Sequence, residues 1–337
     1  MENHDKISDV GSTASGKTKF SIDFCKKLND FNINAEIINS DSMQVYKGFN
    51  IGTAKPSEDE LSLIPHHLLN FVDPTQDYNV SMFVKDCSES LNLLFSQNKL
   101  PVIVGGTNLY IEALLWPSVM DSDNNNSESL EDYFDQFDTQ TLYNLLNKID
   151  PERANQLHRN DRKRIIRSLD IYHSQGITHT ELIKLRKTQK DKEGIRYDAL
   201  ILCLKSDPEI QRSRIRERVK SMLKSGIIKE CKELLELKAY KELIPLLIDE
   251  SGFIEEPSEE LLQKCATVLE SKTWQYSQRQ KTWINQRLLK SPLKTHVVNT
   301  NGILTLIYQL DVGIWDKLVM ESVEITIKHL RDFNQLV

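Results

Sequence analysis

Residues Gly11 to Thr18, GSTASGKT, fit the pattern G-x-x-x-x-G-K-[ST] without exception. In such a turn the backbone N–H groups of Gly11, Ser12, Thr13, Ala14, Ser15 and Gly16, with the helix that follows, converge on phosphate oxygens. Lys17 adds a point charge, and the Thr18 hydroxyl is placed to hold Mg²⁺. Asp41 ends an apolar strand and is followed by Ser42, Gln44 and Tyr46, polar and aromatic groups suited to gripping a base or ring. A carboxylate beside a phosphate loop can take a proton from a nucleophile that attacks next to that phosphate. The alternative for Asp41 is a helix N-cap or an outer-sphere Mg²⁺ role.

Gly105-Gly106-Thr107 at another strand end lets the backbone approach a ligand closely and offers the Thr107 hydroxyl. Arg214 and Arg218 lie one turn apart on a helix after a core strand, where they could reach a phosphate from the side opposite Lys17. Lys163, Arg164 and Arg167 sit in HRNDRKRIIR, away from the core strands, and suit a nucleic-acid backbone or simply a solvated helix face. His66 and His67 are adjacent, so on extended chain they point to opposite faces and do not chelate one ion together.

The elements that must position these groups alternate between strand and helix. AEIINSD (35–41), LPVIVGGT (100–107) and YDALILCLKSD (197–207) read as buried parallel strands, with helical patterns between them. The expectation is an α/β doubly wound parallel sheet with ligands at the carboxyl ends of its strands. The strand before Gly11 is the odd one, because ISDV offers only Ile7 and Val10 as apolar positions. From 117 to 195 the pattern is helical with no strand, so this stretch reads as a small all-helical insertion. The core is then 1–116 with 196–290, and 291–337 is a C-terminal extension.

The 337 residues carry 43 Lys and Arg against 49 Asp and Glu, a formal charge of −6, so nucleic-acid contact requires local basic stripes rather than an overall basic surface. Five cysteines, widely spaced and without a C-x-x-C pair, argue against a disulfide framework and a zinc site, and suit a reducing compartment. No apolar run approaches a membrane span, and MENHDKISDV carries no targeting pattern. The expected location is cytoplasmic, with a mitochondrial or nuclear pool left open.

Taken in order, GSTASGKT, DSMQVYKGFNIGTAKP, HHLLNFVDP, VGGTNLYIEALL, DPERANQLHRNDRKRIIRSLDIY, RIRERVKSML, AYKEL and YSQRQKTWI resemble the tRNA dimethylallyltransferase (tRNA isopentenyltransferase) family over about residues 7 to 285. The resemblance implies a P-loop NTPase-like fold whose glycine loop binds dimethylallyl diphosphate with Mg²⁺ on Thr18, and transfer of the five-carbon group to N6 of adenine-37 in tRNA. It implies that Asp41 accepts the N6 proton, Thr107 helps hold the reacting groups, and Lys17 and Arg218, with Arg214 beside them, bind and stabilise the diphosphate. Asp41, Ser42, Met43 and Gln44, then Lys163, Arg164, Ile165, Ile166 and Arg167, then Arg279, Gln280 and Trp283 match its RNA-contacting positions. A monomer is the usual state.

The chain departs from the family's pattern at four places, the first being Ser8 and Asp9 in a strand that is usually apolar throughout. Lys238-Ala239-Tyr240 replaces its Ile-Gly-Tyr, Trp274 stands where Arg is usual, and the zinc finger of many eukaryotic members is absent. Three other readings stand beside the main one. An adenylate dimethylallyltransferase would use free AMP, ADP or ATP as acceptor. A P-loop kinase would leave DSMQVYKGFNIGTAKP without a role. A catalytically impaired tRNA-binding relative is suggested by the polar first strand.

Overall fold

The computed structural model describes residues 6–116, 131–192, 194–235, 240–250, 252–254, 256–291, 294–299 and 312–332. The chain divides into two units, Met1–Leu115 with Tyr197–Val337, and Trp116–Arg196. In the larger unit the order is β1 (Lys6–Gly11), α1 (Lys17–Asp30), β2 (Ala35–Asn39), α2 (Glu58–Leu63), β3 (His66–His67), α3 (Val80–Ser96), β4 (Leu100–Gly105) and α4 (Asn108–Leu115). The smaller unit carries α5 (Glu131–Asp135), α6 (Thr139–Ile149), α7 (Pro151–Gln156), α8 (Arg162–Gln175) and α9 (His179–Lys192). The larger unit resumes with β5 (Ala199–Lys205), α10 (Pro208–Lys224), α11 (Ile227–Glu233), α12 (Ile244–Leu247), a short β6–β7 hairpin (Ile248–Asp249, Gly252–Phe253) and α13 (Glu259–Trp283), which runs into a π-helical turn at Ile284–Leu288. β8 (Lys294–Asn299) and α14 (Val312–Asp332) follow.

Six parallel strands form one sheet in the order β3-β2-β4-β1-β5-β8, flanked by helices. β1 lies in the interior despite its polar sequence: Ile7 pairs with Val102 and Leu200, and Val10 with Gly105 and Cys203. Both apolar side chains are fully buried, and ladder bonds on two sides supply what the side chains do not. Ser8 is also fully buried, and its hydroxyl has no hydrogen-bond partner among the described residues, a cost of about 1–3 kcal/mol that the strand's neighbours offset. The side chain of Asp9 lies outside the described residues, as do Lys238, Ala239 and the polar stretch 117–130.

The region after 290, which the sequence sets apart as an extension, contributes β8 at the sheet edge beside β5 and a helix that closes one face. Trp315, Val319 and Val323 of α14 join Phe20, Phe24 and Leu28 of α1 in the core over Ile7 and Leu202. Trp315 meets Phe20 edge-on and donates its indole N–H to Asp23 at 2.6 Å. The helical unit has a core of its own, built from Phe134, Leu142, Leu146, Ala154, Ile165, Ile166 and Leu169.

Near the other edge a buried carboxylate ties three strands together. Glu36 on β2 accepts from Lys99 beside β4 at 2.6 Å and shares a hydrogen bond with His67 on β3 at 2.7 Å. His66 instead bonds the Ile64 carbonyl at 2.7 Å, so the two histidines do serve separate contacts. Burial pushes the Glu36 carboxyl up, but the bonds from Lys99 and His67 outweigh it and hold its pKa below the ordinary 4.5. A depressed carboxyl contributes stability that is present above the unfolded value and lost as pH falls through the folded one. Glu36→Gln is therefore expected to lower the unfolding free energy near neutral pH by about 1–2 kcal/mol. That deficit should shrink below about pH 4, as read by urea unfolding across the range.

Candidate active site

β1 ends at Gly11, and α1 begins at Lys17 after an N-cap at Gly16, whose φ of 94° is left-handed. Ala14 is left-handed too, at 63°. These turns curl the loop so that its amides face the carboxyl end of the sheet, above the start of α1. Gly11 has no room for a side chain, because a Cβ there would lie 2.5 Å from Ser15 Oγ. Lys17 Nζ donates to the carbonyls of Gly11 (2.9 Å) and Ser12 (3.0 Å), so its ammonium lies against the loop.

Two buried glutamines hold this loop from opposite sides. Gln211 on α10 donates to the Thr13 carbonyl at 2.8 Å and to Ser12 Oγ at 2.6 Å. Gln280 on α13 accepts from Thr13 N at 2.7 Å and donates to the Gly106 carbonyl at 2.9 Å, which joins the glycine loop to the Gly105-Gly106-Thr107 turn. Gly106 is required here, since a Cβ would sit 2.5 Å from Gln280 Nε2. Arg214, also buried, contacts the carbonyls of Ala14 (3.4 Å) and Ser15 (3.3 Å). Burial pushes its guanidinium down to about 10.

A cavity opens between the loop and the strand ends. Lys17, Thr18, Asp41, Gln44, Gly106 and Arg218 are among its lining residues, together with Thr13, Ala14 and Gly16. Asp41 Oδ1 accepts from the N–H groups of Met43 (2.9 Å) and Gln44 (3.4 Å), which fixes the carboxylate as it would be at a helix start. Oδ2 faces Gly106, 3.5 Å from where a Cβ would be, and no hydrogen bond engages it among the described residues. Asn39 supports the turn, accepting from Asp41 N at 3.2 Å and donating to the Leu68 carbonyl at 2.9 Å. Burial disfavours the charge of Arg218, and Asp41 counters that by favouring it. Arg218 Nη2 donates to the Thr53 carbonyl at 3.2 Å, and Gln44 Nε2 donates to the same carbonyl at 3.0 Å. Thr107 Oγ1 accepts from Ser42 N at 2.9 Å and donates to Ser42 Oγ at 3.1 Å, so this hydroxyl ties two loops together.

The family model described as IPP transferase matches residues 44–287. The chain belongs to the IPP transferase family. Among its relatives, the tRNA dimethylallyltransferase of Halothermothrix orenii is 34% identical over 300 residues, covering 85% of this chain and 86% of that protein. That of Bacillus subtilis is 33% identical over 292 residues, covering 83% and 87%. Among solved structures, a eukaryotic dimethylallyltransferase acting on tRNA matches with a TM-score of 0.72 at 28% identity, over 98% of this chain and 80% of that one. The tRNA isopentenylpyrophosphate transferase of Bacillus halodurans matches with a TM-score of 0.62 at 28% identity, over 99% of each chain. The protein is a transferase with the P-loop NTPase-like fold that the sequence led one to expect.

Within this IPP transferase the remaining residues singled out in the sequence divide by burial. On α8, Lys163 and Arg164 are exposed and Arg167 is half-buried, bonding Asp170 at 3.0 Å. The side chains of Ile165 and Ile166 are 0% and 7% exposed and belong to the helical core, so RNA contact at these two positions would have to use the backbone. Gln280 is likewise 4% exposed, with both ends of its amide engaged inside the protein. Its neighbour Arg279 is exposed and lies over the Tyr276 ring at 5.8 Å, and Trp283 is covered by Arg287 at 4.4 Å. Met43 is 47% exposed, while Ser42 and Gln44 brace the Asp41 turn. Arg214 does not line the cavity and grips the loop from behind.

Gln211, Thr53 and Glu230 were not foreseen. For Gln211 a signal existed, since Gln211, Arg214 and Arg218 lie on one stripe of α10 at helical spacing. Thr53 acts through its backbone carbonyl, which no side-chain pattern reveals.

Gln280 and Arg279 are adjacent in sequence, yet only one of them is internal. Gln280→Leu strands Thr13 N–H and the Gly106 carbonyl and is expected to lower the unfolding free energy by about 2 kcal/mol or more. Arg279→Ala should stay within about 0.5 kcal/mol of wild type in the same denaturant titration.

Proposed function

We propose that the chain transfers the dimethylallyl group of dimethylallyl diphosphate to N6 of adenine-37 in the anticodon loop of tRNA, releasing diphosphate. The observation that carries this reading is the single cavity in which Asp41, with one oxygen unengaged, faces the phosphate loop and Arg218. A kinase could use a carboxylate in the same position; the match to the IPP transferase family and to tRNA dimethylallyltransferases is what favours alkyl transfer.

The amides of Ala14, Gly16, Lys17 and Thr18 at the start of α1 receive the diphosphate, and Lys17 leaves its loop carbonyls for a phosphate oxygen. Adenine N6 attacks C1 of the dimethylallyl group as the C1–O bond breaks. The bonding electrons leave with the diphosphate, whose growing charge Lys17 and Arg218 stabilise. Asp41 Oδ2 takes the N6 proton, while Oδ1 stays on the amides of Met43 and Gln44. Thr107 keeps Ser42 and hence the Asp41 turn in place. The adenine reaches this cavity by leaving the anticodon stack, which costs little in a single-stranded loop.

Thr18 is the residue suited to Mg²⁺. Thr18 is among the residues lining the cavity, and the described residues contain no group of three or more His, Cys, Asp or Glu that would cage an ion. That donor set suits an ion bound chiefly by diphosphate oxygens and water. When bound, Mg²⁺ would neutralise charge on the leaving group.

Lys163, Arg164 and Arg167, with Arg279 on the other unit, supply cations for the RNA backbone. No described helix is long and apolar enough to cross a membrane.

The deciding experiment offers the protein labelled dimethylallyl diphosphate with either an anticodon stem-loop containing A37 or AMP. Label in the stem-loop is expected, and label only in AMP would assign the protein to free nucleotides. Asp41→Ala should cut transfer by at least about 10²-fold while calorimetric binding of the diphosphate persists. Turnover at the wild-type rate would remove Asp41 as the base. Neutralising Lys163 and Arg167 should weaken RNA binding and lessen its salt dependence by roughly one counterion per charge removed.

A further inference from the structure

Glu230 on α11 is a buried carboxylate, 6% exposed, that no step above uses. It does not line the cavity. Its Oε2 accepts from the backbone N–H of Asn50 (2.9 Å) and of Ile51 (2.8 Å). Its Oε1 accepts from Gly52 N–H (2.9 Å) and from the Tyr240 hydroxyl. Three successive amides that point inward form an anion-binding nest, and here the anion is part of the protein. With four donors on two oxygens, the carboxylate has no capacity left for proton transfer.

The consequence falls on the residues that follow. Because the amides of 50–52 turn in toward Glu230, the chain leaves the nest with the Thr53 carbonyl directed at Arg218 and Gln44. Lys55 closes the loop by donating to Asn50 Oδ1 at 3.0 Å and Asn70 Oδ1 at 2.9 Å. Gly52 is obligatory, since a Cβ would lie 2.1 Å from the Tyr240 hydroxyl oxygen. Arg218 relies on this loop: its Nε has no hydrogen-bond partner among the described residues, and the Thr53 carbonyl receives its Nη2.

We propose that Glu230 is a positioning residue for the transfer reaction, aiming Arg218 at the departing diphosphate through the backbone of residues 50–53. This rests on the reaction proposed above, for which transfer by the wild-type protein is the control. Absence of wild-type transfer would count against that reaction rather than against the role of Glu230.

In Glu230→Gln the amide nitrogen must face at least one backbone N–H, so the nest opens without a change of shape. Gly52→Ala displaces the loop while leaving the carboxylate intact, and serves if Glu230→Gln does not fold. Each is compared alone and in an Arg218→Gln background, with kcat, the KM for the stem-loop and the melting temperature measured for all. The expected result is a loss of kcat of roughly tenfold or more in the wild-type background, at little change in the KM for RNA, shrinking to about twofold or less once Arg218 is absent. Equal losses in both backgrounds would mean a merely structural role. An effect confined to KM, or no effect, would equally overturn the proposal.

Discussion

The backbone of Thr13 is held on both sides of its Cα, the N–H by Gln280 and the carbonyl by Gln211. A glycine-containing loop has many accessible conformations, and a phosphate cradle works only when its amides already point inward. Each glutamine is almost fully buried, so water cannot stand in for it. Gln280 does more than stiffen the loop, because its other end holds the Gly106 carbonyl. The distance between the phosphate loop and the turn carrying Thr107 is therefore set by the length of one amide. Thr107 in turn fixes Ser42, next to Asp41. A chain of hydrogen bonds thus runs from the phosphate loop to the carboxylate opposite it, every link inside the larger unit.

The electrostatics follow the same economy. A protein of net charge −6 does not draw an anion to its surface as a whole, so the cavity must do it locally. Lys17 and Arg218 line it and Arg214 lies behind the loop. Burial works against both arginines, and Asp41 supports the charge of Arg218. A diphosphate entering between them would relieve the same strain from the other side. Asp41 stabilises a buried cation before the anion arrives, and in the proposed reaction it would also face the nucleophile afterwards. Its own turn, with two amides on Oδ1, keeps the second oxygen for that use.

The parts of this design that the sequence displays are those written in side-chain types at fixed spacing. GSTASGKT, the strands ending at Asn39 and Gly105, and the Arg214–Arg218 stripe were readable because each depends on a local period or turn. β1 was expected before Gly11 but its interior place was not evident, since an interior strand can be held by ladder bonds on both edges while Ser8 lies buried beside Ile7. The edge strand β8 was missed for a related reason: KTHVVN carries too few apolar residues to stand out, and only its pairing with β5 identifies it. Within the site, burial separates residues that the motifs treat alike: the side chains of Ile165, Ile166 and Gln280 face inward, those of Lys163, Arg164 and Arg279 outward. Position says that a residue lies near a surface, whereas helical phase decides which side of that surface it faces. Contacts made by the backbone, such as the Thr53 carbonyl on Arg218, leave no trace in residue identity at all.

That same phase argument separates the two tasks of the protein. On α8 the cations Lys163 and Arg164 and the apolar pair Ile165 and Ile166 alternate because one face must fill the helical core. The core of the helical unit is therefore what orients its basic face, and no residue of the catalytic cavity is needed for it. In the larger unit the phosphate loop, the Asp41 turn and Arg218 are held by bonds of their own: Gln280 on Thr13, Thr107 on Ser42, and the Thr53 carbonyl on Arg218. Under the function proposed above, RNA affinity at α8 and chemical turnover would draw on these two separate arrangements. Trp274, which stands where Arg is usual, belongs to the larger unit: Arg212 lies over its indole at 4.2 Å, and it joins Ile215, Val219 and Ala14 in the apolar cluster beneath the phosphate loop.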